Sequence, residues 1–144
     1  MAQFVALGTS QLASMTADQL DAVTIQQLAA LSTAQVRSLN NDQIYSLSDL
    51  QLRAFTAAQV KSLTGDQLLY LSSRVDTFSV TQIGGLSTSQ IRALAGDQIA
   101  ALLTSQVRSL SAAQLKALTP DQITSMETND LRVLSAAQVA SFST

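Results

Sequence analysis

Asp18, Asp42 and Asp66 are evenly spaced, and Asp97 and Asp121 repeat the same interval. Carboxylates in register suggest a calcium site. One carboxylate per interval, however, supplies far fewer oxygens than the roughly six to eight that this cation takes. An Asp two residues into a helix is instead well placed against the positive end of the helix dipole. Seven of the eight basic residues fall into a second register: Arg37, Arg53, Lys61, Arg92, Arg108, Lys116 and Arg132. Such a column suits an anionic polymer. The competing reading is a solubilising face, because nearby Asp residues nearly cancel the charge. Arg37, Arg53, Lys61, Arg92, Arg108 and Lys116 are the candidate interaction surface.

Other chemistry is sparse. The chain has no histidine and no cysteine. It therefore lacks the commonest general base and any thiolate metal ligand or disulfide. No paired carboxylates and no Ser/His/Asp set occur. Gly84-Gly85 lacks the strand and pattern of a dinucleotide loop. The expectation is a protein that is not an enzyme, with no catalytic residue, cofactor or metal. Net charge is −2 and no segment is a basic run, which speaks against nucleic acid as a partner. No apolar stretch approaches the 18 or so residues of a membrane span. The N-terminal Met1-Ala-Gln-Phe-Val-Ala-Leu7 has no positive n-region, so no signal peptide is visible.

The elements that must position these residues follow from a repeat of eight. Glutamine recurs at Gln3 and then at Gln11, Gln19, Gln27, Gln35, Gln43, Gln51, Gln59 and Gln67. After a slip the series resumes at Gln82, Gln90, Gln98, Gln106, Gln114, Gln122 and Gln138; Arg74 and Asp130 interrupt it. Each unit reads apolar, Ser/Thr, x, x, Gln, apolar, x, small. Ser/Thr-x-x-Gln is a capping box: the hydroxyl accepts from the amide three residues on, and the Gln side chain reaches back to the cap amide. A dozen boxes in one register predict one short helix per octad.

One continuous helix is excluded. Eight residues at about 100° each rotate the apolar columns by about 80° per unit, so no stripe forms. A strand is excluded because columns three and five residues apart alternate between faces. Isolated helices this short are unstable, so stacking must hold them. The fold class is an all-α solenoid of short helices, and the octads fill residues 1–144 as one repeat domain.

Gln is used in preference to Glu at every regular unit. Two readings stand: genetic copying of the repeat, or burial, since a neutral amide has two donors and an acceptor to satisfy while a buried carboxylate is costly. A structural role is therefore assigned to Gln11, Gln19, Gln27, Gln35, Gln43, Gln51, Gln59, Gln67, Gln90, Gln98, Gln106, Gln114, Gln122 and Gln138. Such side chains are expected to be buried and bonded to backbone or, as ladders, to one another.

The charges set the coil. A rhythm of basic, acidic, basic makes three octads a higher unit. One three-sided turn then takes about 24 residues, an ordinary size for a solenoid repeat. The segment from Ser32 (STAQVRSLNNDQI) matches that from Ser87 (STSQIRALAGDQI). Leu71-Ser-Ser-Arg-Val-Asp-Thr-Phe78 is one residue short and is followed by the octad of Gly84 and Gly85. An unmatched side, and hence a kink or irregular coil, is expected near residues 71–86.

The array resembles the Thr/Ser-x-x-Gln-Ile/Val-x-x-Leu tracts of very large bacterial surface or secreted proteins. The resemblance implies a bacterial source and an exported structural setting, extracellular or at the cell surface. Leu118-Thr-Pro-Asp-Gln-Ile123 also resembles the opening of a TAL-effector repeat, but an octad has no room for a base-reading loop. Two functions compete. The first is a structural or adhesive array, its partner either a second copy stacked head to tail or flanking repeats of a longer chain. The second is a binding module that offers a solenoid face to a peptide, glycan or nucleic acid, for which Tyr45 and Tyr70 are the aromatic candidates. The chain starts in register at Gln3-Phe4 and stops in mid-unit at Phe142-Ser-Thr144, so both end coils are expected to expose apolar faces. Head-to-tail contact does not close, and it gives a filament.

Overall fold

The computed structural model describes residues 6–143; Gln3 and Phe4 lie outside them. The helices follow one another in coils of three. The first coil holds α1 (Thr9–Ala13), α2 (Ala17–Asp21) and α3 (Ile25–Ala29). The second holds α4 (Thr33–Arg37), α5 (Asn41–Ser46) and α6 (Asp49–Ala54). The third holds α7 (Ala57–Ser62), α8 (Gly65–Leu69) and a 3₁₀ helix, Ser72–Thr77. The fourth holds α9 (Val80–Gly84), α10 (Thr88–Ala93) and α11 (Gly96–Ala100). The fifth holds α12 (Thr104–Ser109), α13 (Ala112–Lys116) and α14 (Pro120–Ser125). Helices α15 (Thr128–Arg132) and α16 (Ala136–Ala140) begin a sixth, which ends in a 3₁₀ turn, Ser141–Ser143. No strand occurs among the described residues.

Each helix packs on the one three places earlier, so the stack has three faces. The first face carries α1, α4, α7, α9, α12 and α15. The second carries α2, α5, α8, α10, α13 and α16. The third carries α3, α6, the 3₁₀ helix, α11 and α14. This is the all-α solenoid that the octad implies.

The local cause is the cap. At Thr56 the backbone turns to φ −69°, ψ 158°, which ends the preceding chain direction. The Gln59 amide then donates to Thr56 Oγ1 at 3.2 Å, and the Thr56 amide to Gln59 Oε1 at 2.7 Å. The sixth column faces the centre, with Leu28, Val36, Ile44 and Leu52 fully buried. The first column lines the corners, as at Leu47, Phe55 and Leu63. Burial fades at the end of the stack, where Leu131 and Val139 are exposed. Small eighth-column residues let stacked helices approach the third column of the coil before: a methyl built on third-column Gly65 would meet eighth-column Ala93 Cβ at 3.0 Å, and one on Gly96 would meet Ser125 Oγ at 2.6 Å.

The expected unmatched side does not occur. The 3₁₀ helix, tighter than an α-helix, takes the regular place on the third face, between α6 and α11. Caps at Gly8, Ser32 and Thr56 are evenly spaced. The step from Thr56 to Ser79 is one residue shorter, and the full interval returns at Leu103. The irregularity is confined to the backbone, where Ser72 takes φ 50°, the one non-glycine with positive φ among the described residues. The matching segments nevertheless lie on different faces. Ser32 caps α4 on the first face, while Ser87 caps α10 on the second.

Candidate functional site

The repeat glutamine is a clamp with two ends. Its Oε1 closes the capping box of its own helix. Its Nε2 crosses to carbonyls at the end of the helix four places earlier. Gln59 donates in this way to Leu31 O at 2.7 Å and to Leu28 O at 2.9 Å. Gln122 does the same to Leu94 O at 2.6 Å and Ile91 O at 2.9 Å. These carbonyls sit where a helix ends and its last C=O groups lack intrahelical partners. One side chain thus caps the start of its own helix and the end of another. That explains the absence of Glu more fully than burial does. A carboxylate keeps the acceptor but loses both donors, and it sets charge against two carbonyl oxygens.

Gln35, Gln43, Gln51, Gln59, Gln67, Gln90, Gln98, Gln106, Gln114 and Gln122 are buried; Gln27 and Gln138 are half-buried, and Gln11 and Gln19 are exposed. The bonds of the buried set run to backbone. Gln138 also donates back, to Leu110 O at 2.8 Å. In the first coil, Gln11, Gln19 and Gln27 close their own boxes and no more. Ladders between glutamines do not form among the described residues. Gln82 belongs with the set: it is buried and donates to Phe55 O at 2.7 Å and Leu52 O at 3.1 Å.

Arg74 also takes a glutamine's place. Its guanidinium donates to Leu47 O, and to Tyr45 O at 3.0 Å, on the coil before. It also forms an ion pair with Asp49 Oδ1 at 2.8 Å. A guanidinium is donor-only and forked, so the residue type at this break in the series was itself the signal of a retained donor. Asp130 is the opposite case. It is buried and accepts from Thr104 Oγ1 at 2.9 Å, and its helix start has no capping hydroxyl because Glu127 stands there.

The six candidate surface residues do not form one column. Arg37, Lys61 and Arg108 share the first face with Arg132, and the one exposed acid beside them is Glu127, which caps the helix of Arg132. Arg92 and Lys116 are on the second face, and Arg53 is on the third. The acidic column changes face too. Asp18, Asp42 and Asp66 lie on the second, and Asp97 and Asp121 on the third. Seven helices separate matching segments, one more than two full coils, so the charge pattern turns by one face at the short coil. Arg37 and Lys61 line an open pocket with Ser62, Thr64, Ser87 and Ser89. A second open pocket, of about 400 Å³, is lined by Asp42, Tyr45, Leu69, Tyr70 and Ser72.

Among the described residues no group of three acidic side chains converges as a metal site would require. No described helix is long and apolar enough to cross a membrane. The ALTTAQ repeat family matches residues 75–104 and 100–126. The chain is a repeat protein. The matched stretch begins inside the 3₁₀ helix and runs through α14, so the family similarity spans the fourth and fifth coils. Neither a curated protein nor a solved structure matches the chain.

Proposed function

We propose that this protein is a non-enzymatic structural array element, a filament-forming or spacer segment of a bacterial surface or secreted assembly, which extends by stacking coil on coil. The observation that carries the reading is the direction of the glutamine clamp. Each clamping glutamine donates backwards, to the end of the helix four places before its own. In the first coil the Nε2 groups of Gln19 and Gln27 have no acceptor among the described residues. At the far end the carbonyls of Leu118, Met126 and Leu134 accept no glutamine donor among the described residues, although Leu86 and Leu94 at equivalent positions do. A following coil with donors in register would satisfy them, whether it comes from further repeats or from another copy. The exported setting rests on the resemblance of the octad tract.

Light scattering over a concentration series tests the stacking. Mass is expected to grow without a fixed stoichiometry, and Gln19→Ala with Gln27→Ala is expected to suppress that growth. A strictly monomeric protein at high concentration, with no further octads beside it in its parent gene, contradicts both the filament and the spacer.

A further inference from the structure

The rotation of the charge pattern leaves the second face divided. Its first three helices carry only acids: Asp18 and Asp21 on α2, Asp42 on α5 and Asp66 on α8, all exposed. Its next two carry only bases, Arg92 on α10 and Lys116 on α13, and α16 is uncharged. The other faces are not divided in this way. The exposed charges of the first are basic from α4 to α12, with the single acid Glu127 capping α15 at its far end, so most of it repels its own copy. The third mixes signs at Asp49, Arg53, Arg74 and Asp76 before turning acidic.

A face with acid in one half and base in the other is complementary to itself when reversed. We propose that the chain pairs with a second copy, antiparallel, through this second face. A two-fold axis between α8 and α10 sets α8 against the partner's α10, and α5 against the partner's α13. Because the helices stack at regular intervals, this one operation brings Asp66 to the partner's Arg92 and Asp42 to the partner's Lys116, and repeats both pairs by symmetry. Arg92 lies three positions further along its helix than Asp66, roughly 4.5 Å at 1.5 Å per residue. A guanidinium on its stem spans that offset.

The apolar groups agree with the charges. Tyr45, Leu69 and Tyr70 are large, exposed and on the acidic half of the same face. With Asp42 they line one open pocket. Two aromatic rings beside carboxylates attract a cation by quadrupole as well as by charge, arginine above all. Tyr70 accompanies Asp66 on α8 and its corner, and Tyr45 accompanies Asp42 on α5. Each acid–tyrosine set therefore faces one base of the partner. Closure at two copies distinguishes this contact from end-to-end stacking, which does not close.

Two double reversals test it by sedimentation at about 0.05 M salt, where charges are poorly screened. Asp42→Lys with Asp66→Lys makes the middle of the face basic throughout. Arg92→Glu with Lys116→Glu makes the face wholly acidic. All are measured in the Gln19→Ala, Gln27→Ala background, which suppresses end-to-end growth; there the protein with its native second face is expected to sediment as a dimer that weakens with salt. Each reversed protein alone is expected to lose self-association by more than about a hundredfold, through like-charge juxtaposition, while keeping its helical circular dichroism. An equimolar mixture of the two is expected to restore the dimer. A protein with its native second face that is monomeric at low salt overturns the proposal, and so does a mixture that stays monomeric. Open-ended growth that neither reversal alters also overturns it, while leaving the stacking of coil ends intact.

Discussion

At Arg74 and at Asp130 the glutamine column is interrupted, and the carbonyls four helices back meet opposite fates. Behind Arg74, the Leu47 and Tyr45 carbonyls still receive donors, now from a guanidinium anchored to Asp49. The short third coil stays stacked on both sides. Behind Asp130, the carboxylate has no donor to offer the Ile99 and Leu102 carbonyls. It turns to Thr104 instead, and the neighbouring cap hydroxyl is missing as well. The lesson concerns function within the lattice: the column requires a donor that reaches backwards, and the shape of the side chain is secondary. Arg keeps the donor with a different shape. Asp keeps polarity and removes the donor.

Arg74→Leu removes donors from two carbonyls and leaves Asp49 unpaired. A loss of about 2–3 kcal/mol is expected in urea unfolding, the range for bonds that involve a charged group. Arg74→Gln is expected to recover part of it. An unchanged urea midpoint for Arg74→Leu would place the cohesion of the third coil in apolar packing alone. Asp130→Gln runs the comparison in reverse. It supplies a donor for Leu102 O and an acceptor for the Glu127 amide, and a gain of about 1–2 kcal/mol is expected. A loss of stability there would show that the Thr104 bond outweighs the missing clamp. Ser72→Gly relieves the left-handed backbone next to Arg74. The gain is partly offset by the flexibility of glycine in the unfolded chain, and about 0.5 kcal/mol is expected from thermal unfolding.

Much of this was legible before the structure. The capping boxes name the helices, and the apolar columns name the core. The three-octad charge rhythm gives three helices per coil. Gln in place of Glu pointed to burial of a neutral amide. The target of that amide was hidden, because a partner four helices back depends on how successive coils wind over one another. The coil near residues 71–86 is irregular, as expected, but the unmatched side was misplaced. The octad of Gly84 and Gly85 counts as an extra side in the charge rhythm, whereas in the stack a 3₁₀ helix fills the third face and that octad opens the next coil. The turn of the charge pattern onto a new face followed from that coil and from nothing local. The six basic residues were therefore legible as exposed charges but not as occupants of three different faces.

The clamp is tested most directly by Gln59→Glu, which keeps the shape and the acceptor and removes the donors when ionised. Ionised Glu at this site faces Leu28 O and Leu31 O without a proton to offer. Folding then favours its protonated form, so the folded-state pKa lies above the unfolded one. The stability of the variant should be closest to that of the wild type at acid pH, below the ordinary carboxylate range, and should fall as pH rises through it. At pH 7 a deficit of about 3–5 kcal/mol is expected in urea unfolding, the scale of an uncompensated buried charge. Coincident unfolding curves for Gln59→Glu and wild type at pH 7 would show that the amide's donors do not hold the coils together.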